Sequence, residues 1–151
     1  MTKHIPVAWR PLHSDVILPE VGTADAACVD VCAYLSEPLT LQPGDRALIP
    51  TGFAVAVPQG FSLRLYSRSG LAFKHGLMVV NGVGIIDADY RHEVKIIIAN
   101  TGRNPFTIEP QFKVCQADLV PIHLPVFKKV VVHDDQWFDT ARLGGFGSTG
   151  V

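Results

Sequence analysis

Residues 77–100, LMVVNGVGIIDADYRHEVKIIIAN, constrain the fold of this chain more than any other stretch. Two apolar runs flank Asp87-Ala88-Asp89-Tyr90. Beyond that turn, Glu93, Lys95 and Ile97 alternate with Val94, Ile96 and Ile98, the period of a strand with two unlike faces. An acidic turn between β-rich runs predicts a β-hairpin. Its inner lining holds Asn81, the small or apolar positions Gly82, Val83 and Gly84, and then Asp87.

Short runs of the same kind recur along the chain, at residues 16–18, 28–35, 47–57, 61–66, 106–108, 114–122 and 127–133. Within 28–35, Val29, Val31 and Ala33 share one face and Cys28, Asp30 and Cys32 the other. The 13 glycines and 11 prolines fall mainly between the runs. Gln42-Pro43-Gly44-Asp45 has Pro and Gly at the two central turn positions; Pro58-Gln59-Gly60 is a second turn and 100–105 a loop. Thr51-Gly52 interrupts the 47–57 run. Turn signals about every ten residues predict an all-β sandwich, barrel or jelly roll. Helix is confined to residues 69–75, capped by Ser69 and closed by Gly76, and to 135–142.

A chain of 151 residues, 48% hydrophobic, suffices for one buried core. The net charge of 13 − 14 = −1 excludes a broad electrostatic surface for nucleic acid or anionic membrane. An anionic ligand must then be small and met by a few local cations. No apolar stretch approaches the length of a membrane span. The opening MTKHIPVAWRPLHSDV has prolines and charges where a signal peptide needs an apolar run, so a cytoplasmic location is expected. Cys28, Cys32 and Cys115 are expected to be free thiols, and without a CxxC or paired histidines no zinc site is expected. The 6 histidines are scattered and read as surface or structural residues.

Four segments carry chemistry. Tyr66-Ser67-Arg68-Ser69-Gly70-Leu71 offers hydroxyls, a guanidinium and free amides, either for a phosphate chain or simply as a helix start. Asp87, at the mouth of an apolar hairpin after Ile85 and Ile86, can orient and deprotonate a water; Asp89 is turn chemistry. Asp30 lies mid-strand, where Asp is disfavoured, so it either bonds a neighbouring loop or helps organise a metal and its waters. The last segment, residues 143–151, holds four glycines, Phe146, Ser148 and Thr149. It is either filler or an arm that orders on a ligand, with Phe146 suited to stacking on a flat ring.

Together these segments resemble the five ordered motifs of the trimeric dUTP pyrophosphatases (dUTPases). Motif one is matched by Ala27-Cys28-Val29-Asp30-Val31, and motif two by Arg68-Ser69-Gly70-Leu71 with Lys74-His75-Gly76. Asn81 and Gly84-Ile85-Ile86-Asp87-Ala88-Asp89-Tyr90-Arg91 match motif three, the most specific. Residues 110–116 match motif four and 144–150 motif five. The resemblance implies a distorted jelly-roll domain over residues 1–142, a flexible C-terminal arm over 143–151, and a homotrimer with sites at subunit contacts. It implies Mg²⁺-dependent conversion of dUTP and water to dUMP and pyrophosphate, which keeps uracil out of DNA and supplies dUMP for dTMP synthesis. Asn81 and the backbone of Gly84, Ile85 and Ile86 would read uracil, and Tyr90 would lie under the deoxyribose. Asp87 would orient the water, while Arg68, Ser69, Gly70 and Gln116 would hold phosphates and Lys95 would line the site. From the arm, Phe146 would stack on uracil, with Arg142, Gly147, Ser148 and Thr149 on the phosphates; Asp30 would support the metal through water.

Three positions depart from the family pattern. Cys28 and His92 stand where the family usually has Gly, and only Leu143 separates Arg142 from Gly144. Two rival readings share the fold. One is a dCTP deaminase, which needs a general acid/base Glu; Glu93 is the sole acidic candidate beside the hairpin and alternation turns it toward Lys95. The other is a dUTPase-like scaffold that regulates a partner protein.

Overall fold

The computed structural model describes residues 5–129. Alternating side chains build most of its strands. In chain order these are β1 (Ala8–Pro11), β2 (Glu20–Val21), β3 (Val29–Cys32), β4 (Leu39–Leu41), β5 (Arg46–Ala56) and β6 (Phe61–Tyr66). Helix α1 (Ser69–His75) follows, then β7 (Leu77–Val79), β8 (Gly84–Ile86), β9 (Glu93–Asn100), β10 (Phe106–Ile108) and β11 (Lys113–Pro121). One sheet runs β1-β5-β9-β7 and a second β2-β3-β11-β6-β8; β10 and β4 form a two-stranded third. The described pairings are antiparallel. The chain is thus an all-β sandwich, as its turn spacing predicts.

The two large sheets bury their inner faces in one core. The first sheet supplies Ile49, Phe53, Val94, Ile96 and Ile98, the second Val31, Leu65, Val114 and Ala117. Leu41 and Ile108 close one end from the small sheet. Burying each such aliphatic side chain is worth about 1.5–3 kcal/mol, so the inner face of β9 alone anchors the sandwich. No helix among the described residues is long and apolar enough to cross a membrane.

Two glycines shape the frame. Gly52 has φ +73° at an irregularity where the β5–β9 register shifts between Pro50 and Ala54. A Cβ there would meet Val16 Cγ2 at 2.7 Å, so the strand bends against the 12–19 segment only because the side chain is missing. Gly76 closes α1 at φ +69°, and a Cβ there would run into the Gly102 backbone. That contact seats α1 on the loop after β9.

Several expectations require correction. Residues 87–90 do not turn a ladder hairpin. β8 pairs with β6 in the second sheet, while β9 pairs with β5 and β7 in the first, so the turn carries the chain between sheets. Gly84 explains the choice: its Cα lies close enough to Leu65 that a Cβ would sit 3.1 Å from Leu65 Cβ, which admits β8 alongside β6. Ile85 is 59% exposed, so only Ile86 of the pair before Asp87 is buried. Residues 16–18 form no strand; they lie in an irregular segment, and β1 and β2 flank it instead. Ser69 is the first helical residue, not the cap: Arg68 occupies the cap position and makes no side-chain capping bond. Residues 127–129 are not in a strand. Residues 130–133, the 135–142 helix and the 143–151 arm lie outside the described residues.

Candidate active site

Strand β11 assembles one half of the site. Its Gln116 stands opposite Asp30 of β3 on one side and Tyr66 of β6 on the other. That register sets Asp30, Gln116 and the start of α1 side by side. They line a cleft of about 390 Å³ with Arg68, Ser69, Gly70 and Lys74. Arg68 Nε lies 3.2 Å from Asp30 Oδ1, and Arg68 Nη1 donates to the Lys113 carbonyl at 2.8 Å. Lys113 Nζ lies 3.1 Å from Asp30 Oδ2. Gln116 Nε2 donates to the Ser67 carbonyl at 3.1 Å, and the Ser67 hydroxyl accepts the Val79 N–H at 2.8 Å. Asp30 is thus bonded to Arg68 at the start of α1 and to Lys113 on β11.

The second half lies on the loop from Val80 through the 87–90 turn. Val83 N–H donates to the Asn81 carbonyl at 2.9 Å, and Gly82 takes φ +77° to allow that tight turn. Asn81, Asp87 and Lys95 are exposed. Tyr90 is half-buried against the core, and its hydroxyl donates to the Glu93 carbonyl at 2.8 Å. Tyr90 N–H donates to the Asp87 carbonyl at 3.2 Å, closing the turn. His92 meets the Tyr90 ring edge-on at a centroid distance of 5.8 Å.

Two features escaped sequence reading. Arg91 Nη1 donates to the carbonyls of Ala88 at 2.7 Å and Tyr90 at 2.9 Å, clamping the turn that presents Asp87. Lys113 joins Asp30 and Arg68 because the β11–β3 register shifts between Lys113 and Cys115, a shift that simple alternation conceals. Both carboxylate oxygens of Glu93 are engaged. Oε1 accepts the Gly52 N–H at 2.9 Å and Oε2 lies 3.5 Å from Lys95 Nζ.

The thiols are structural in character. Burial pushes Cys115 up to about 12, assisted by the negative charge of Asp30. Burial also raises Cys28, with Asp118 and Asp30 adding to it, and raises Cys32. The three cysteines are free thiols. Among the described residues, no group of three His, Cys, Asp or Glu side chains is arranged to hold a metal directly. Arg142, Phe146, Gly147, Ser148 and Thr149 lie outside the described residues.

Fold and cleft define a class: an all-β sandwich with a small cationic cleft and an exposed, backbone-rich loop. Comparison with known proteins narrows it. A dUTPase family model matches residues 14–150. A deoxyuridine 5'-triphosphate nucleotidohydrolase of Chlamydia felis is 47% identical over 141 residues, covering 92% of this chain and 95% of that protein. Its counterpart in Chlamydia pneumoniae is 46% identical, with 93% and 95% covered. The Staphylococcus bacteriophage 80alpha dUTPase, solved with dUPNHPP, superposes with a TM-score of 0.81 at 26% identity, over 97% of this chain and 99% of that one. A phage phi11 dUTPase variant, whose structure describes coordination of a structural Mg(II) ion, gives 0.74 at 26% identity, with 83% and 97% covered. This chain belongs to the dUTPase family.

Proposed function

We propose that the chain hydrolyses dUTP to dUMP and pyrophosphate in the cytoplasm, as a homotrimer with Mg²⁺. The observation that carries this reading is the family match over residues 14–150, which spans all five motif segments. Arg68, Ser69, Gly70 and Gln116 hold the phosphate chain in the cleft. Asn81 and the backbone of Gly84, Ile85 and Ile86 hydrogen-bond the edge of uracil. A site built on such bonds rejects cytosine because its donors and acceptors would be left unpaired. Tyr90, fixed through its bond to Glu93, packs under the deoxyribose and leaves no room for a 2′-hydroxyl. Asp87 accepts the proton of the attacking water. Lys95 lines the nucleotide site. From the arm, Phe146 stacks on the base, while Arg142, Gly147, Ser148 and Thr149 meet the phosphates and exclude bulk water.

Asp30 fits an indirect role toward Mg²⁺. Each of its oxygens faces one cation, 3.2 Å from Arg68 Nε and 3.1 Å from Lys113 Nζ, and retains a lone pair for a metal-bound water. Among the described residues no group of three His, Cys, Asp or Glu side chains could hold the ion directly, so Asp30 would act on it through water, with the phosphates held by Arg68, Ser69, Gly70 and Gln116. When bound, the ion neutralises charge on the phosphates, which is the main demand of phosphoryl transfer. The phosphate cleft is lined by none of Asn81, Asp87, Tyr90 or Lys95. That lining fits a site in which one subunit offers the cleft, another the uracil loop, and the arm closes over both.

Product analysis tests this reading. With Mg²⁺ the protein is expected to release pyrophosphate and dUMP from dUTP, and to leave UTP, dTTP and dCTP intact. Ammonia release from dCTP with dUTP untouched would establish the deaminase instead. The geometry disfavours that rival, because both Glu93 oxygens are committed to Gly52 and Lys95.

A further inference from the structure

The geometry points to Lys113 as a positioning residue that adds to the positive charge of the phosphate cleft, beyond that of Lys74, by sharing Asp30 with Arg68. The inference rests on the phosphate-binding reading of that cleft and adds a residue to it. Three contacts carry it. Lys113 Nζ lies 3.1 Å from Asp30 Oδ2, while Arg68 Nε lies 3.2 Å from Oδ1 of the same carboxylate. The Lys113 carbonyl accepts from Arg68 Nη1 at 2.8 Å. One residue thus holds Arg68 through its backbone and offsets Arg68's counter-ion through its side chain.

The backbone is shaped to allow this. Lys113 pairs with Cys32 and Gln116 with Asp30, so three steps along β11 match two along β3. In a regular strand, residues three apart point to opposite faces. The inserted residue brings Lys113 and Gln116 to the same face as Asp30, the re-aiming that a bulge performs. Buried Val114 and Cys115 in succession are its signature. The entry to the bulge is also fixed. Gln111 adopts the left-handed φ of 63°, Phe112 N–H donates to the Glu109 carbonyl at 3.1 Å, and the Phe112 carbonyl accepts from Ala33 N–H at 2.8 Å.

Charge gives the arrangement its function. Arg68 and Asp30 alone are a neutral pair, and a carboxylate in an anion-binding cleft repels phosphate. With Lys113 added, the trio carries a net charge of +1, and Arg68 can turn to an incoming phosphate without stranding Asp30. Lys113 is itself half exposed, so replacing it leaves the core intact.

Calorimetric titration with inorganic pyrophosphate, at fixed Mg²⁺ and low salt, tests the inference. Lys113→Met is expected to weaken pyrophosphate binding about tenfold, the order expected from one lost charge near a half-buried anion site. Lys113→Arg should restore it to within about threefold of the parent. The gap between Met variant and parent should shrink toward unity near 0.5 M salt, where the Debye length falls to about 4 Å. In turnover of dUTP, the Met variant should show the loss in KM, with kcat held within about twofold. A Met variant that binds pyrophosphate like the parent, a gap insensitive to salt, or a loss confined to kcat would each overturn the inference. A parent protein that binds no pyrophosphate would instead overturn the phosphate-cleft reading on which it stands.

Discussion

Asp87 is exposed and, among the described residues, its carboxylate accepts no hydrogen bond, while Arg91 and Tyr90 fix the turn beneath it. A carboxylate so presented is poised for a water and contributes little to the fold. Asp87→Asn should therefore cut kcat by about 10²–10⁴ while nucleotide Kd stays within about threefold, since general-base removal acts on the transition state. Rapid-quench turnover and equilibrium binding of a non-hydrolysable dUTP analogue check both halves; full activity in the variant would remove Asp87 from catalysis. Cys115 behaves in the opposite way: it is buried, and its thiol lies well above the unfolded value of 9.0, at about 12. Below pH 9 the thiol is protonated in folded and unfolded chains alike, and its contribution to stability is complete. Between pH 9 and 12 the unfolded chain releases the proton and the folded chain does not, so stability falls as pH rises, by up to about 1.4 kcal/mol per unit. Urea titrations at pH 8.5 to 10.5 should show a steeper alkaline loss for the parent than for Cys115→Ala.

At the scale of elements, Asn100 ties the small sheet to the large one. It is fully buried at the end of β9, and its Nδ2 donates to the carbonyls of Leu41 at 2.9 Å and Asn104 at 2.8 Å. Its Oδ1 accepts the Gly102 N–H at 2.9 Å. Asn100→Ala removes all three bonds, strips the buried Leu41 carbonyl of its side-chain partner and leaves a cavity, and should cost about 3 kcal/mol in chemical denaturation, with KM unchanged. Elements also show what the sequence could and could not reveal. β9 and β6 were legible because each alternates against a core that rewards alternation. The 87–90 turn was misread because period 2 identifies a strand but not its partner; the close approach of Gly84 to Leu65 sends β8 to the other sheet. β1 was hidden by Pro11 and by the isolated Trp9, and its pairing to β5 is a long-range contact that local pattern does not encode. Lys113 was invisible for the same reason. Its direction depends on a bulge, and a bulge shifts phase without changing composition. The motif residues were legible through family resemblance, not through periodicity.

At the scale of the whole molecule, a site shared between subunits makes a quantitative demand. If each site takes Arg68 from one subunit and Asp87 from another, two inactive variants can complement each other. Subunits carrying Arg68→Ala retain Asp87, and subunits carrying Asp87→Asn retain Arg68. Co-refolding them in equal amounts should place both intact residues together in about one quarter of the sites, since each position is drawn independently in a closed ring of like subunits. Turnover of dUTP should recover to roughly 25% of the parent rate, from a baseline near zero for either variant alone. Recovery should fail when the two proteins are mixed without exchange of subunits, and light scattering should report three chains per particle in both cases. Activity that stays at baseline after demonstrated subunit exchange would mean that one chain builds the whole site. Arg68 and Asp87 of the same subunit would then serve one site.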